Sequence, residues 1–157
     1  MKKRCLILTI TMAMALLPAS AFNTLAQKER VTINSAGSGS GASLSSGMIG
    51  ITAGQTARLS VWNGGDKDVA LRLLFIDGGG KVLIQCNDVV PSGNSFSEDF
   101  QWPCCGGRVE LHGEIRVDDK QDLDVLVPSL QVTDDQTGKT TVAYGAGDFV
   151  PHINPFQ

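Results

Sequence analysis

Histidine, aromatic side chains and long apolar runs are all scarce in this chain of 157 residues. It has two histidines, two tryptophans and one tyrosine, and aromatics make up 6% of it. No serine stands in a G-x-S-x-G elbow, and neither an H-E-x-x-H helix nor a glycine-rich phosphate loop is present. With no evident pair of catalytic carboxylates either, a small hydrolase would need a site assembled from distant loops that no motif marks. Few aromatics also count against a carbohydrate-binding face built of stacked rings, for which Trp62, Trp102 and Tyr144 are the candidates. The one extended apolar run, residues 5–17, is too short for the roughly 20 residues that cross a bilayer as a helix.

That run lies in an N-terminal leader. Met1-Lys2-Lys3-Arg4 is a positive n-region, the apolar stretch follows, and Pro18 precedes Ala19-Ser20-Ala21, an A-x-A cleavage site. Thr24-Leu25-Ala26 offers a second cut. Residues 1–26 are therefore expected to be a signal peptide cleaved after Ala21 or Ala26, exporting the protein to the periplasm or beyond the cell and leaving no membrane span.

Basic clusters are also missing beyond the leader. The chain has 13 Lys and Arg against 16 Asp and Glu, and removing Lys2, Lys3 and Arg4 leaves a net charge near −6. An acidic domain without a Lys/Arg patch is a poor partner for nucleic acid or anionic lipid. About 130 residues make one domain. Such a chain buries about two thirds of its unfolded surface, enough for a core without many disulfides.

What is present is alternation. After "KERVTIN" (28–34), which reads as a stray strand, "SAGSGSGASLSSG" (35–47) is nearly all Ser, Gly and Ala. It is expected to make residues 27–47 a flexible segment, either a tail or a tether. From residue 48 the period is two. "TARLSVW" (56–62) sets Ala57, Leu59 and Val61 on one face. "VALRLLF" (69–75) turns Val69, Leu71, Leu73 and Phe75 inward. "GRVELHGEIRV" (107–117) separates Val109, Leu111, Ile115 and Val117 from Arg108, Glu110, His112, Glu114 and Arg116. "NGGDKD", "DGGGK", "PSGN" and "DDQTGK" supply turn chemistry between these runs. Strands are expected near 48–52, 56–63, 69–77, 81–89, 95–101, 107–118, 125–133 and 139–145. The fold class is all-β: a single antiparallel sandwich of seven to eight strands over 48–145, with an up-and-down barrel as the alternative and 146–157 as a C-terminal tail.

The segments "GITAGQTARLSVWN", "VALRLLFIDGGGKVL", "VVPSGNSFSEDF" and "VPSLQVTDDQTGKTTV" resemble a pattern in small, uncharacterised secreted bacterial proteins. The resemblance covers most of 48–143 and implies an immunoglobulin-like or fibronectin-III-like sandwich. It implies neither an activity nor a ligand, and "WPCCGG" (102–107) departs from it.

Three cysteines follow the leader, Cys86, Cys104 and Cys105, an odd number for an oxidising compartment. If "PSGN" closes a hairpin, Cys86 lies opposite Asp99, and the chain from there to Cys104 covers about 17 Å. A disulfide then requires Pro103 to turn the chain back. A bridge from Cys86 to Cys104 or Cys105 closes a loop of about 19 residues and adds around 3 kcal/mol. A Cys104–Cys105 ring, or no internal bridge, are the alternatives, and a spare thiol opens a route to a disulfide-linked dimer. C-C is not the C-x-x-C of a redox site, and three cysteines with two adjacent fit a zinc site poorly.

No cofactor or metal is expected. His112 between Glu110 and Glu114 has the makings of a metal site, but Arg108 and Arg116 complete a mixed-charge, solvated row. Asp118, Asp119, Asp122 and Asp124 form an acidic loop without calcium-loop spacing. His152 sits in the tail. The functional expectation is an exported, non-catalytic sandwich that binds a protein or cell-surface partner, with a carbohydrate-binding module and a small hydrolase as alternatives. Exposed aromatic rows would favour the second, a deep polar cleft the third, and a bare, regular edge strand the first.

Overall fold

The alternating runs form the two sheets of an antiparallel sandwich. The computed structural model describes residues 41–103 and 107–153. The expected leader, "KERVTIN", Cys104 and Cys105 lie outside the described residues. Among the described residues there are ten strands: β1 Ala42–Ser45, β2 Ile49–Ile51, β3 Gln55–Asn63, β4 Val69–Asp77, β5 Val82–Val90, β6 Ser95–Gln101, β7 Val109–Val117, β8 Leu126–Asp134, β9 Thr140–Tyr144 and β10 Val150–Ile153. One sheet runs β10-β1-β7-β4-β5, with β2 also on β7, and the other runs β6-β3-β8-β9. In the first sheet β4 pairs with β7, which β1 and β2 flank, and in the second β3 pairs with both β6 and β8.

The inner faces carry the residues that the period of two turns inward. Leu59, Val61, Leu71, Leu73, Phe75, Leu111, Ile115 and Leu130 are each at most 2% exposed. Burying a side chain of this size contributes about 1.5–3 kcal/mol. Gly113 faces Phe75 in the ladder, and a Cβ there would stand 2.9 Å from Leu59 Cδ1 in the opposite sheet. The glycine thus makes room for leucine at the centre of the sandwich.

Two turns close true hairpins on left-handed glycines, Gly80 (φ 83°) between β4 and β5 and Gly138 (φ 67°) between β8 and β9. "PSGN" does not. β5 pairs with β4 and β6 with β3, so this turn carries the chain from one sheet to the other. The expected facing of Cys86 and Asp99 is thereby corrected: Cys86 pairs with Leu73, and Asp99 with Arg58. The reason lies in Asn63, which is fully buried. Its Nδ2 donates to Lys67 O (2.7 Å) and Val90 O (2.9 Å), and its Oδ1 accepts from Gly65 N (3.0 Å). Its backbone N–H donates to Asn94 O and its carbonyl accepts from Gly93 N, each at 2.9 Å. One residue thus bonds to both corner loops and ties them together.

Strands also occur where flexible chain was expected. β1, in the Ser/Gly-rich segment, pairs with β7 on one side and with β10, in the expected tail, on the other. Ala42 is buried between them and Leu44 packs on the core. Ser46 spans the interruption between β1 and β2. Its N–H donates to Gly113 O and its Oγ accepts from Gly113 N, both at 2.9 Å, which continues the ladder through a side chain. Polar composition there reflects ladder hydrogen bonding rather than a lack of structure.

Candidate functional site

The outward positions of β6, β3 and β8 stand in register and build a nearly all-polar sheet face. One row is Gln101–Thr56–Thr133, the next Asp99–Arg58–Gln131, the next Ser97–Ser60–Ser129 and the last Ser95–Trp62–Val127. An open cleft of about 470 Å³ covers the first two rows. Thr56, Arg58, Asp99, Gln101, Gln131, Thr133, Asp134, Asp135 and Gly138 line it. Arg58 donates twice to Asp99, Nε to Oδ1 and Nη2 to Oδ2, each at 2.7 Å. The hydrogen bonds and charge of Asp99 raise the Arg58 pKa. Thr56 Oγ1 donates to Asp135 at 2.6 Å and accepts from Gln101 Nε2 at 3.1 Å. Asp134 accepts from the hydroxyl and N–H of Thr137, which hold its carboxyl below the usual range and keep it ionised.

The three aromatic candidates do not form a row. Trp62 is 47% exposed, and its Nε1 donates to Gly93 O at 3.1 Å. A Cβ on Gly64 would stand 2.8 Å from its Cζ3, so the indole lies close over that glycine. Trp102 instead packs on Phe100 (6.2 Å between ring centroids), which packs on Phe75 (5.6 Å). Tyr144 pairs with inward-facing Leu130 and packs against the core. The period of two in "TARLSVW" sets Trp62 on the face opposite Ala57, Leu59 and Val61, and in the structure it sits on the outward parity of β3.

The outer face of the other sheet departs from a plain solvated row. Glu114 is 8% exposed, and Leu74 (1%) and Ile76 (6%) on neighbouring β4 are also covered, although they point away from the core. Burial alone would raise the Glu114 pKa. Hydrogen bonds from Arg116 (3.0 and 2.9 Å) and Ser43, with the charges of Arg116 and His112, outweigh it and lower the value. Glu110 is taken by Arg108 at 2.7 Å. Both glutamates flanking His112 thus engage arginines, and among the described residues no three His, Cys, Asp or Glu side chains converge to hold a metal ion.

The acidic loop has structural employment. Asp119 caps a short 3-10 helix, Lys120–Val125, by accepting from Gln121 N at 2.9 Å, and Asp118 pairs with Arg72 at 3.1 Å. Burial and then the charge of Asp119 raise the Asp122 pKa, against the lowering effect of Lys67. Asp124 is exposed. His152 stands on β10 opposite Ser43. There is no disulfide among the described residues, and the expected partners of Cys86 fall outside them.

The four outer strands treat their edges differently. β10 is four residues long and contains Pro151. β9 is five residues long with a register shift. β6 turns Glu98 inward opposite Leu59. These are the devices by which edge strands avoid pairing. β5 has nine residues, no proline, glycine or basic side chain, and Asp88 as its one charge. It runs in unbroken register with β4 from Val90 to Ile84 and shifts register before Val82; Asp88 faces inward opposite Leu71, and Val82 (43%) and Val89 (46%) are exposed.

Comparison with protein-family models, with curated proteins and with solved structures finds no match for this chain. Among the described residues no helix is long and apolar enough to cross a membrane.

Proposed function

We propose that the protein is an exported, non-catalytic β-sandwich that works by strand addition at β5, first of all to a second copy of itself. The leader and the resemblance to small secreted bacterial proteins support export. The observation that carries the reading is the length of β5, nine residues against seven, five and four for the other outer strands, with seven of the nine in unbroken register with β4. An open edge offers a row of backbone donors and acceptors to an incoming strand.

The sequence of β5 fits its own reverse. Antiparallel pairing about Cys86 sets Val82 against Val90, Leu83 against Val89, Ile84 against Asp88 and Gln85 against Asn87. Apolar residues meet apolar ones at both ends and amides meet near the middle, with Ile84 against Asp88 as the one mixed pair, a largely self-complementary pattern for a two-fold interface. A binding role is also favoured over hydrolysis by the polar cleft. A glycosidase needs one carboxyl held protonated beside another held ionised. Here Asp99 is committed to Arg58, Asp135 to Thr56 and Asp134 to its own turn.

Sedimentation equilibrium of the cleaved, exported protein with a reducing agent tests this reading without interference from intermolecular disulfides. A dimer at micromolar concentration is expected, and Val89→Lys is expected to return it to monomer. A wild-type monomer at a hundred micromolar would contradict self-pairing.

A further inference from the structure

The face of β6, β3 and β8 lies in the sheet that does not contain β5, and its features carry an inference of their own. We infer that this face is a binding site for a neutral, linear oligosaccharide lying along β3 from Thr56 to Trp62.

Three observations converge. The first is the cleft, whose volume of about 470 Å³ falls in the range of ligand sites but whose lining is hydroxyl, amide, guanidinium, carboxylate and one glycine. Ligand pockets are ordinarily mostly apolar, so this one suits a ligand that is polar all round and both donates and accepts hydrogen bonds. Sugar hydroxyls meet that requirement. The Arg58–Asp99 pair fixes both partners before a ligand arrives, which reduces the ordering cost of binding.

The second is Trp62. Among the described residues it is the one aromatic of its face; its indole is held by the bond to Gly93 O and by Gly64, and nearly half of it is open. A fixed, exposed ring with an apolar neighbour, Val127, supplies the stacking surface that the C–H face of a pyranose seeks.

The third is the register between them. Ser97, Ser60 and Ser129 form a row of short side chains between the Arg58 row and the Trp62 row, a low saddle with a hydroxyl at each step. From Thr56 to Trp62 the strand spans about 20 Å, the length of a short chain of sugars rather than of one. The sign of charge narrows the class. Asp99 offsets Arg58, while Asp134 and Asp135 remain at the far end, so the site disfavours uronic or sulfated glycans.

The test uses the cleaved protein labelled with nitrogen-15 and a panel of neutral hexasaccharides: α- and β-1,4-linked glucose, mannose and N-acetylglucosamine. A galacturonic acid hexamer serves as the charged contrast. The inference expects one neutral hexamer to shift the amides of residues 56–62, together with the Trp62 indole N–H, at concentrations where the acid leaves them still. Trp62→Ala is expected to weaken binding by about tenfold or more, and Ser60→Leu to block the saddle. Both positions face solvent, and an unchanged thermal midpoint confirms that the fold is kept. Silence of these resonances to every neutral hexamer at millimolar concentration overturns the inference. So do shifts confined to another face, or retained affinity in both variants. Because Val89→Lys touches only β5, its binding of the sugar is expected to match wild type whether or not self-pairing holds.

Discussion

The side-chain amide of Asn63 donates to the carbonyl of Val90 at 2.9 Å, joining the end of a central strand in one sheet to the end of the edge strand β5 in the other. The same amide serves Lys67 O, and Asn63 Oδ1 receives Gly65 N–H. Because Asn63 is fully buried, its removal leaves carbonyls and an N–H without partners. Asn63→Ala is expected to cost about 3 kcal/mol in urea unfolding. Asn63→Asp is expected to cost more, since a carboxylate then faces two carbonyl oxygens.

Gly113 and Leu59 form a steric couple. Gly113→Val pushes into Leu59 and is expected to cost about 1–3 kcal/mol, while Leu59→Ala alone costs about 2–5 kcal/mol by opening a cavity. Since one change fills the space the other vacates, the double variant is expected to lose less than the sum. Additive losses in a double-mutant cycle would contradict the close approach.

Acid stability follows from Glu114. Its folded pKa lies below the ordinary 4.5, so it stabilises the fold fully above that value and loses the contribution as pH falls through the lowered folded value. Glu114→Gln is expected to flatten the stability profile below pH 4.5 and to lower stability at pH 7, where the ion pair with Arg116 is lost. A variant whose acid slope matched wild type would contradict this assignment.

The ion pair of Arg58 and Asp99 is short and bidentate, but both side chains are about half exposed. Solvent screening leaves such pairs worth less than about 1 kcal/mol. Asp99→Asn is therefore expected to move the thermal midpoint by only a few degrees.

The all-β class and the eight main strands were legible because alternation reports burial directly. Leu59, Leu73 and Ile115 stand on the buried parity of their strands, as the period of two requires. β1 and β10 were not legible. Their ordering depends on ladder bonds to β7 and to each other, and Ser45 or His152 carries no mark of such pairing. The sheet-crossing role of "PSGN" was hidden for a similar reason. Asn63, 28 residues before Pro91, decides where β5 ends, and turn composition says nothing about which sheet receives the next strand. The polar face also needed registration. Ser60, Ser97 and Ser129 are unremarkable singly and form a saddle only when β6, β3 and β8 lie side by side.

Assembly through β5 is tested most directly by amide hydrogen exchange of residues 82–90 at two protein concentrations under reducing conditions. The account predicts protection of alternate β5 amides, those that face away from β4, at high concentration. That protection should disappear on dilution or in Val89→Lys. Outward amides of β5 that exchange equally fast at both concentrations would contradict it.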